Sequence, residues 1–199
     1  LNVFFPELND TKKRKPFSIK EISLLHDKCR STDDDVRHLV ALISDTGVRL
    51  GEATGLKVAD IKIDCPTPHI HIRPNPIRRL KTKQSERQVP LIGASLWAAK
   101  RLITNSIGDY AFPRYVKNGT CLSNSASATL NKWIRSNICN DLVVHGLRHG
   151  FRDRLREVGC PPEIADSLGG WSRNSIGESY GDGYSLKAKH EWLCKIALK

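Results

Sequence analysis

The stretch VHGLRHGF at residues 144–151 decides how the rest of the chain is read. Leu147, Phe151 and, further on, Leu155 recur at the spacing of one helix face, and Gly159 supplies a C-terminal stop. His145 and Arg148 then lie one turn apart near the start of that helix, where unpaired N–H groups and the positive end of the dipole favour a phosphate. A guanidinium fork matches the non-bridging oxygens of a phosphodiester. An imidazole beside it can donate a hydrogen bond or take up a proton near neutral pH. His149 reads either as a further site residue or as a satisfied core histidine.

Three other stretches stand in register with this one. TGVRLGE, residues 46–52, puts Arg49 just after a helix break at Thr46 and Gly47. A short helical run from Arg49 to Thr54 brings Glu52 within one turn, close enough to orient the arginine. GGWS, residues 169–172, pairs two glycines that let the backbone turn sharply with Trp171, whose indole N–H can donate one hydrogen bond but cannot exchange a proton. ESYGDG, residues 178–183, offers Tyr180 nine residues after Trp171, with Tyr184 as the other phenol in the region. Two arginines, a histidine, an indole and a phenol suit phosphoryl transfer without a metal, because they neutralise charge on the phosphate and supply an oxygen nucleophile.

Any one of these fragments is weak alone, but four in order across most of the chain carry weight. Together they resemble the tyrosine recombinases, the phage-integrase family, whose signature is an early Arg in a TGxRxGE-like turn, then HxxRH, a GH or GW pair, and the Tyr. The resemblance covers residues 17–199 and implies an α+β, mostly helical catalytic domain with a small three-stranded antiparallel sheet. It implies that Tyr180 attacks a DNA phosphodiester to give a 3′-phosphotyrosyl link and a free 5′-hydroxyl, with Arg49, His145, Arg148 and Trp171 stabilising the transition state. Spacing from Trp171 favours Tyr180 over Tyr184. The KTKQSERQVPL stretch resembles the family's KTxxSxRxVPL pattern, which places the general acid for the leaving 5′ oxygen on Lys81, with Lys83 as the rival. Neither ATP, a metal nor another cofactor is implied. The implied partners are double-stranded DNA attachment sites and further copies of the chain, a tetramer at the synapse, with no membrane. The implied setting is mobile-element integration or excision in a bacterial or phage-host cytoplasm. Residues 1–16, with Pro6, Pro16 and the run Lys12–Lys15, read as a linker from an N-terminal core-binding domain; the opening on Leu1 and the lack of methionine fit an excised piece of a longer protein.

Charge points the same way independently. Lys plus Arg number 32 against 21 Asp plus Glu, a net charge of +11, which is the footprint of a polyanion partner. Two readings of other kinds stay open on sequence: a type IB topoisomerase-like strand relaxer, and a non-catalytic DNA-binding module descended from a recombinase. The six cysteines show no CxxC pair and read as reduced thiols. Cys65, His69 and His71 are too few ligands for structural zinc, and PHIHIRP reads as a strand with both histidines on one solvated face.

Between the motifs, Ser18 and Glu21 form a capping box for a helix with Ile22, Leu24 and Leu25 inward. Val36, Leu39, Val40, Leu42 and Ile43 predict a second helix. Strands are expected at 60–64, 69–73 and 88–92. The link between the last two carries Arg78, Arg79, Lys81, Lys83 and Arg87 and is expected to be a basic hairpin tip on DNA. Leu96, Trp97, Leu102 and Ile103 predict one later helix, Leu130, Trp133 and Ile134 another. A last helix with Leu186, Trp192, Leu193 and Ile196 packs either on a neighbouring protomer or on its own core.

Overall fold

In the computed structural model, residues 15–80, 85–171 and 183–198 are described. Helix α1 (Ile19–Thr32) starts at the expected capping box: the Ser18 hydroxyl accepts from the Glu21 N–H at 3.3 Å, and the Glu21 carboxylate accepts from the Ser18 N–H at 2.8 Å. Its buried stripe is Ile22, Leu25, His26 and Cys29, whereas Leu24 is 42% exposed. At 100° per residue, position 24 lies well round the helix from 22 and 29, so the expectation for Leu24 is corrected by period alone.

Helix α2 (Asp35–Thr46) is the central element, with Val36 and every residue from His38 to Thr46 buried. It ends on Gly47, whose φ of 62° is the left-handed cap that Gly adopts without steric cost. A five-residue helix α3 (Leu50–Thr54) follows directly, with Arg49 as its N-cap.

The sheet is antiparallel in the order β1 (Ile61–Lys62), β2 (His69–Ile72), β3 (Arg87–Pro90). Ile70 pairs with Ile61 on one side and Val89 on the other, and all three are buried. His69 and His71 take the opposite, half-buried face, as the alternation predicts. The flanking strands are shorter than their apolar runs, because Leu91 and Ile92 lead out of β3 into helix α4 (Gly93–Thr104).

Helix α4 packs on α2 through Ala94, Ala98, Ala99 and Leu102. Leu96, Trp97 and Ile103 are only partly buried, which corrects the face assigned to this helix. Three small side chains let the two helix backbones approach closely, and the larger residues cover the edges; Trp97 stands edge-on to His38 at 5.2 Å between ring centroids.

A short hairpin of β4 (Val116–Lys117) and β5 (Thr120–Cys121) precedes the helices α5 (Ser123–Asn137), α6 (Val144–Glu157), α7 (Pro162–Gly169) and α8 (Leu186–Cys194). Helix α8 lies against β3, and Leu193 and, just past its end, Ile196 are buried. Beneath these elements sits a buried polar knot. Arg154 of α6 donates to Asp45 at 3.0 Å, to the Ser44 carbonyl, and to the Ile196 carbonyl at 3.3 Å. The second oxygen of Asp45 accepts from the Ala94 N–H at 2.9 Å, and His26 meets the Ser44 hydroxyl at 2.8 Å. This knot ties α1, α2, α4, α6 and the C-terminal turn together. Among the described residues no helix is long and apolar enough to cross a membrane.

Candidate active site

Three chain segments converge on one cleft of about 360 Å³: the turn from α2 to α3, the first turns of α5, and the start of α6. Arg49, His145 and Arg148 all line it, with Ser123, Asn124 and Ser127 of α5 opposite. Residues that are distant in sequence meet here because Gly47 breaks α2 and returns the chain across α6. A Cβ on Gly47 would stand 2.2 Å from the Phe151 ring, and the Gly47 carbonyl accepts a hydrogen bond from Arg148. The glycine thus meets both a backbone and a packing requirement.

Arg49 is held on three sides. Its Nη1 donates to Glu52 Oε1 at 2.7 Å and to the Ser85 hydroxyl at 3.4 Å, and its Nη2 donates to the Gly170 carbonyl at 2.9 Å. The Arg49 N–H also donates to Glu52 Oε2 at 2.8 Å. Glu52 is buried and receives in addition both Nη atoms of Arg87, at 3.2 and 2.8 Å. Burial opposes ionisation of Glu52, but the Arg87 hydrogen bond and charge, with the Arg49 bonds, outweigh it and hold the carboxyl below its usual range. The expectation that Glu52 lies close enough to orient Arg49 therefore has a geometric basis, and the structure adds a second arginine to it.

Arg148 is 6% exposed. Burial, followed by the charges of Arg49 and Arg87, lowers its pKa to about 9, so it stays cationic at neutral pH at a desolvation cost that an anion in the cleft would offset. Its guanidinium lies over the Trp171 ring, 4.4 Å from the centroid, and Arg152 lies over the same ring at 4.7 Å. Each such contact contributes about 0.5–2 kcal/mol. Trp171 is carried there by the turn after α7. Its backbone N–H donates to the Asp166 carbonyl at 3.1 Å, and a Cβ on Gly169 would stand 2.1 Å from the indole. Arg49, Arg87, Arg148 and Arg152 thus face the two carboxylates Glu52 and Asp166, a local surplus of positive charge.

The histidines sit on the outer face of α6. His145 and His149 are exposed and form an edge-to-face pair with centroids 5.0 Å apart. Of the two readings of His149, the core histidine is therefore excluded. The start of α6 is also less open than expected, because the Val144 N–H is taken by the Asn131 side chain at 2.8 Å.

Two of the basic residues expected on a hairpin tip are instead internal. Arg78 is 4% exposed and donates to the Glu52 carbonyl at 2.6 Å and to the Arg73 carbonyl; Arg87 is 7% exposed and is occupied by Glu52, Ser85 and Leu168. The turn Asn75–Arg78 folds back on α3, where the Asn75 amide donates to the Gly55 carbonyl at 2.8 Å. Only Arg79 of this described group is exposed. Lys81, Lys83 and Tyr180 lie outside the described residues. Arg152 was missed by sequence reasoning, although its place one turn after Arg148 was a usable signal. Cys65 Sγ lies 3.8 Å from His69 Nδ1, while His71 pairs with Glu86, and no three His, Cys, Asp or Glu side chains gather as a metal site among the described residues.

The fold agrees with that of other chains. The chain belongs to the phage integrase family, whose model matches residues 17–185. It is similar to the tyrosine recombinase XerD of Corynebacterium glutamicum, with 28% identity over 176 residues, covering 82% of this chain and 55% of that protein; the chain thus spans about half the length of that relative. The fold is shared with the Tn1549 transposon integrase in complex with transposon right end DNA, at a TM-score of 0.60 and 20% identity over 93% of this chain and 68% of that one. It is shared also with the XerH site-specific recombinase bound to difH, at 0.58 and 20% identity, covering 92% of this chain and 52% of the other.

Proposed function

We propose that this chain is the catalytic domain of a site-specific DNA recombinase that cuts and rejoins strands through a 3′-phosphotyrosyl intermediate. The observation that carries the reading is the surplus of buried guanidinium charge around one cleft that also holds His145 and borders Trp171. A pentacovalent phosphorane gathers charge on its non-bridging oxygens, and pre-placed cations stabilise that charge without reorganising.

In this reading the Tyr180 phenolic oxygen bonds to phosphorus as the bond from phosphorus to the 5′ oxygen breaks. Arg49 and Arg148 hold the non-bridging oxygens, with hydrogen bonds from His145 and Trp171. Lys81, or Lys83 in its place, delivers the proton that the departing 5′ oxygen needs, and His145 receives the one that Tyr180 gives up. The phosphotyrosyl ester conserves the bond energy, so a 5′-hydroxyl from a second duplex reverses the step and completes an exchange. His149 supports His145, and Arg79 meets the DNA backbone. The substrates are double-stranded attachment sites of a mobile element, joined by four copies of the chain in the cytoplasm. Residues 17–199 form the catalytic unit and 1–16 lead in from a DNA-clamping domain.

The test is covalent trapping on nicked duplexes made from the element's own junctions, followed by peptide mapping. The expected result is a DNA-linked peptide containing Tyr180 that is lost in Tyr180→Phe while binding is retained. Binding without any adduct from the full-length protein would instead favour a DNA-binding module.

A further inference from the structure

We propose that Arg87 is a positioning residue for this reaction, a buried guanidinium that fixes Arg49, through Glu52, to the turn that carries Trp171. The inference rests on the recombinase reading above.

Arg87 does not line the cleft, and its side chain is 3% exposed. Every arm of its fork is engaged. Nε donates to the Leu168 carbonyl at 2.7 Å, Nη1 to the Ser85 carbonyl at 2.7 Å and to Glu52 Oε1 at 3.2 Å, and Nη2 to Glu52 Oε2 at 2.8 Å. Leu168 is in the last turn of α7, whose carbonyls lack helical partners, so Arg87 satisfies a group that would otherwise be left bare in the interior. Glu52 in turn grips Arg49, and Arg49 donates to the Gly170 carbonyl at 2.9 Å. The bonds close a ring through α3, β3 and the end of α7. A Cβ on Gly170 would come within 2.8 Å of Arg87 Nη1, so the turn is seated directly on the guanidinium.

Only a planar fork with donors on several sides closes this ring. A lysine in the same place keeps the charge opposite Glu52, but its ammonium is a point charge on a flexible stem and reaches the carboxylate or the Leu168 carbonyl, not both. Arg49 and Trp171 would then lose their fixed separation while the cleft kept its charge and its DNA contacts. A displacement of about 1 Å at reacting groups costs on the order of a hundredfold in rate.

The experiment compares parent, Arg87→Lys, Arg49→Lys and the double variant, each measured for duplex affinity and for the rate of adduct formation on a nicked substrate, per folded molecule. Arg87→Lys is expected to bind duplex within about threefold of the parent and to form adduct roughly 30- to 100-fold more slowly. In the Arg49→Lys background the same change is expected to cost less than about threefold, because Arg49 is the group through which Arg87 acts. If Arg87→Lys does not fold, Arg87→Gln, which keeps an amide donor for Leu168, takes the same comparison. A parental adduct rate in the folded variant, or losses that multiply fully in the double variant, overturns the role of Arg87 alone. Absence of any adduct from the parent overturns the recombinase reading and this role with it.

Discussion

Replacing Glu52 with Gln removes one charge from the centre of the Arg49–Glu52–Arg87 arrangement while keeping the side-chain shape. Four N–H donors converge on this carboxylate, two from Arg49 and two from Arg87, and a glutamine turns one acceptor oxygen into a competing donor. Arg87, with a side chain 3% exposed, has no route to water in compensation. Removing one partner of a buried pair in this way costs about 3–5 kcal/mol. With a urea slope of about 2 kcal/mol/M, the unfolding midpoint should fall by roughly 1.5–2.5 M. The pH dependence supplies a second check. Because the folded-state pKa of Glu52 is depressed, its contribution is complete above the unfolded value of about 4.3 and is lost as pH falls through the lower folded value. The gap between parent and variant should therefore be widest at neutral pH and narrow below about pH 4. Urea unfolding followed by tryptophan fluorescence at both pH values measures it. A midpoint shift under about 0.3 M at pH 7, or a gap unchanged in acid, would refute the reasoning.

Gly47→Ala places a methyl against Phe151 at a left-handed backbone position and should destabilise by about 2–4 kcal/mol, seen as a melting point lower by on the order of 10 °C. Burial lowers the pKa of His26, with Asp45 and Arg154 acting in opposite senses. Its folded value thus lies below its unfolded one, and stability should fall as pH drops below about 6.5; His26→Gln, which retains a partner for Ser44, should flatten that limb in pH-dependent melts. Arg79→Ala should weaken duplex binding about equally for all sequences and reduce the slope of log affinity against log salt by roughly 1; an unchanged slope in a salt titration would remove Arg79 from the phosphate contacts.

What could be read from sequence was what depends on near neighbours. The Ser18–Glu21 capping box, the glycine stop after Thr46, the alternation that puts His69 and His71 on one face, and the helical spacing of Leu147, Phe151 and Leu155 are all settled within a few residues of chain. The meeting of Arg49, His145, Arg148 and Trp171 was legible only as an ordered pattern, since it is tertiary contact that places them together. Arg78 and Arg87 show the limit most clearly. A string of cations between two strands resembles a solvated tip, and the residue that draws both inward, Glu52, through its carbonyl for Arg78 and its carboxylate for Arg87, lies 26 and 35 residues away. No local period reports such a pairing. The inward face of α4 failed for a related reason: large apolar residues dominate a hydrophobic pattern, yet closeness to α2 selected the alanines.

Those alanines have a further effect. β3 runs into α4 after Leu91 and Ile92, so the separation of α4 from α2 is also the separation of Arg87 from the segment that carries Arg49. The core face made by Ala94, Ala98 and Ala99 thus acts as a spacer whose thickness is transmitted to the cleft, and the site takes its tolerances from packing several turns away. Damage to activity in a mutational scan should accordingly extend to enlarged residues at these buried alanines, in proteins that still fold and still carry every reactive side chain.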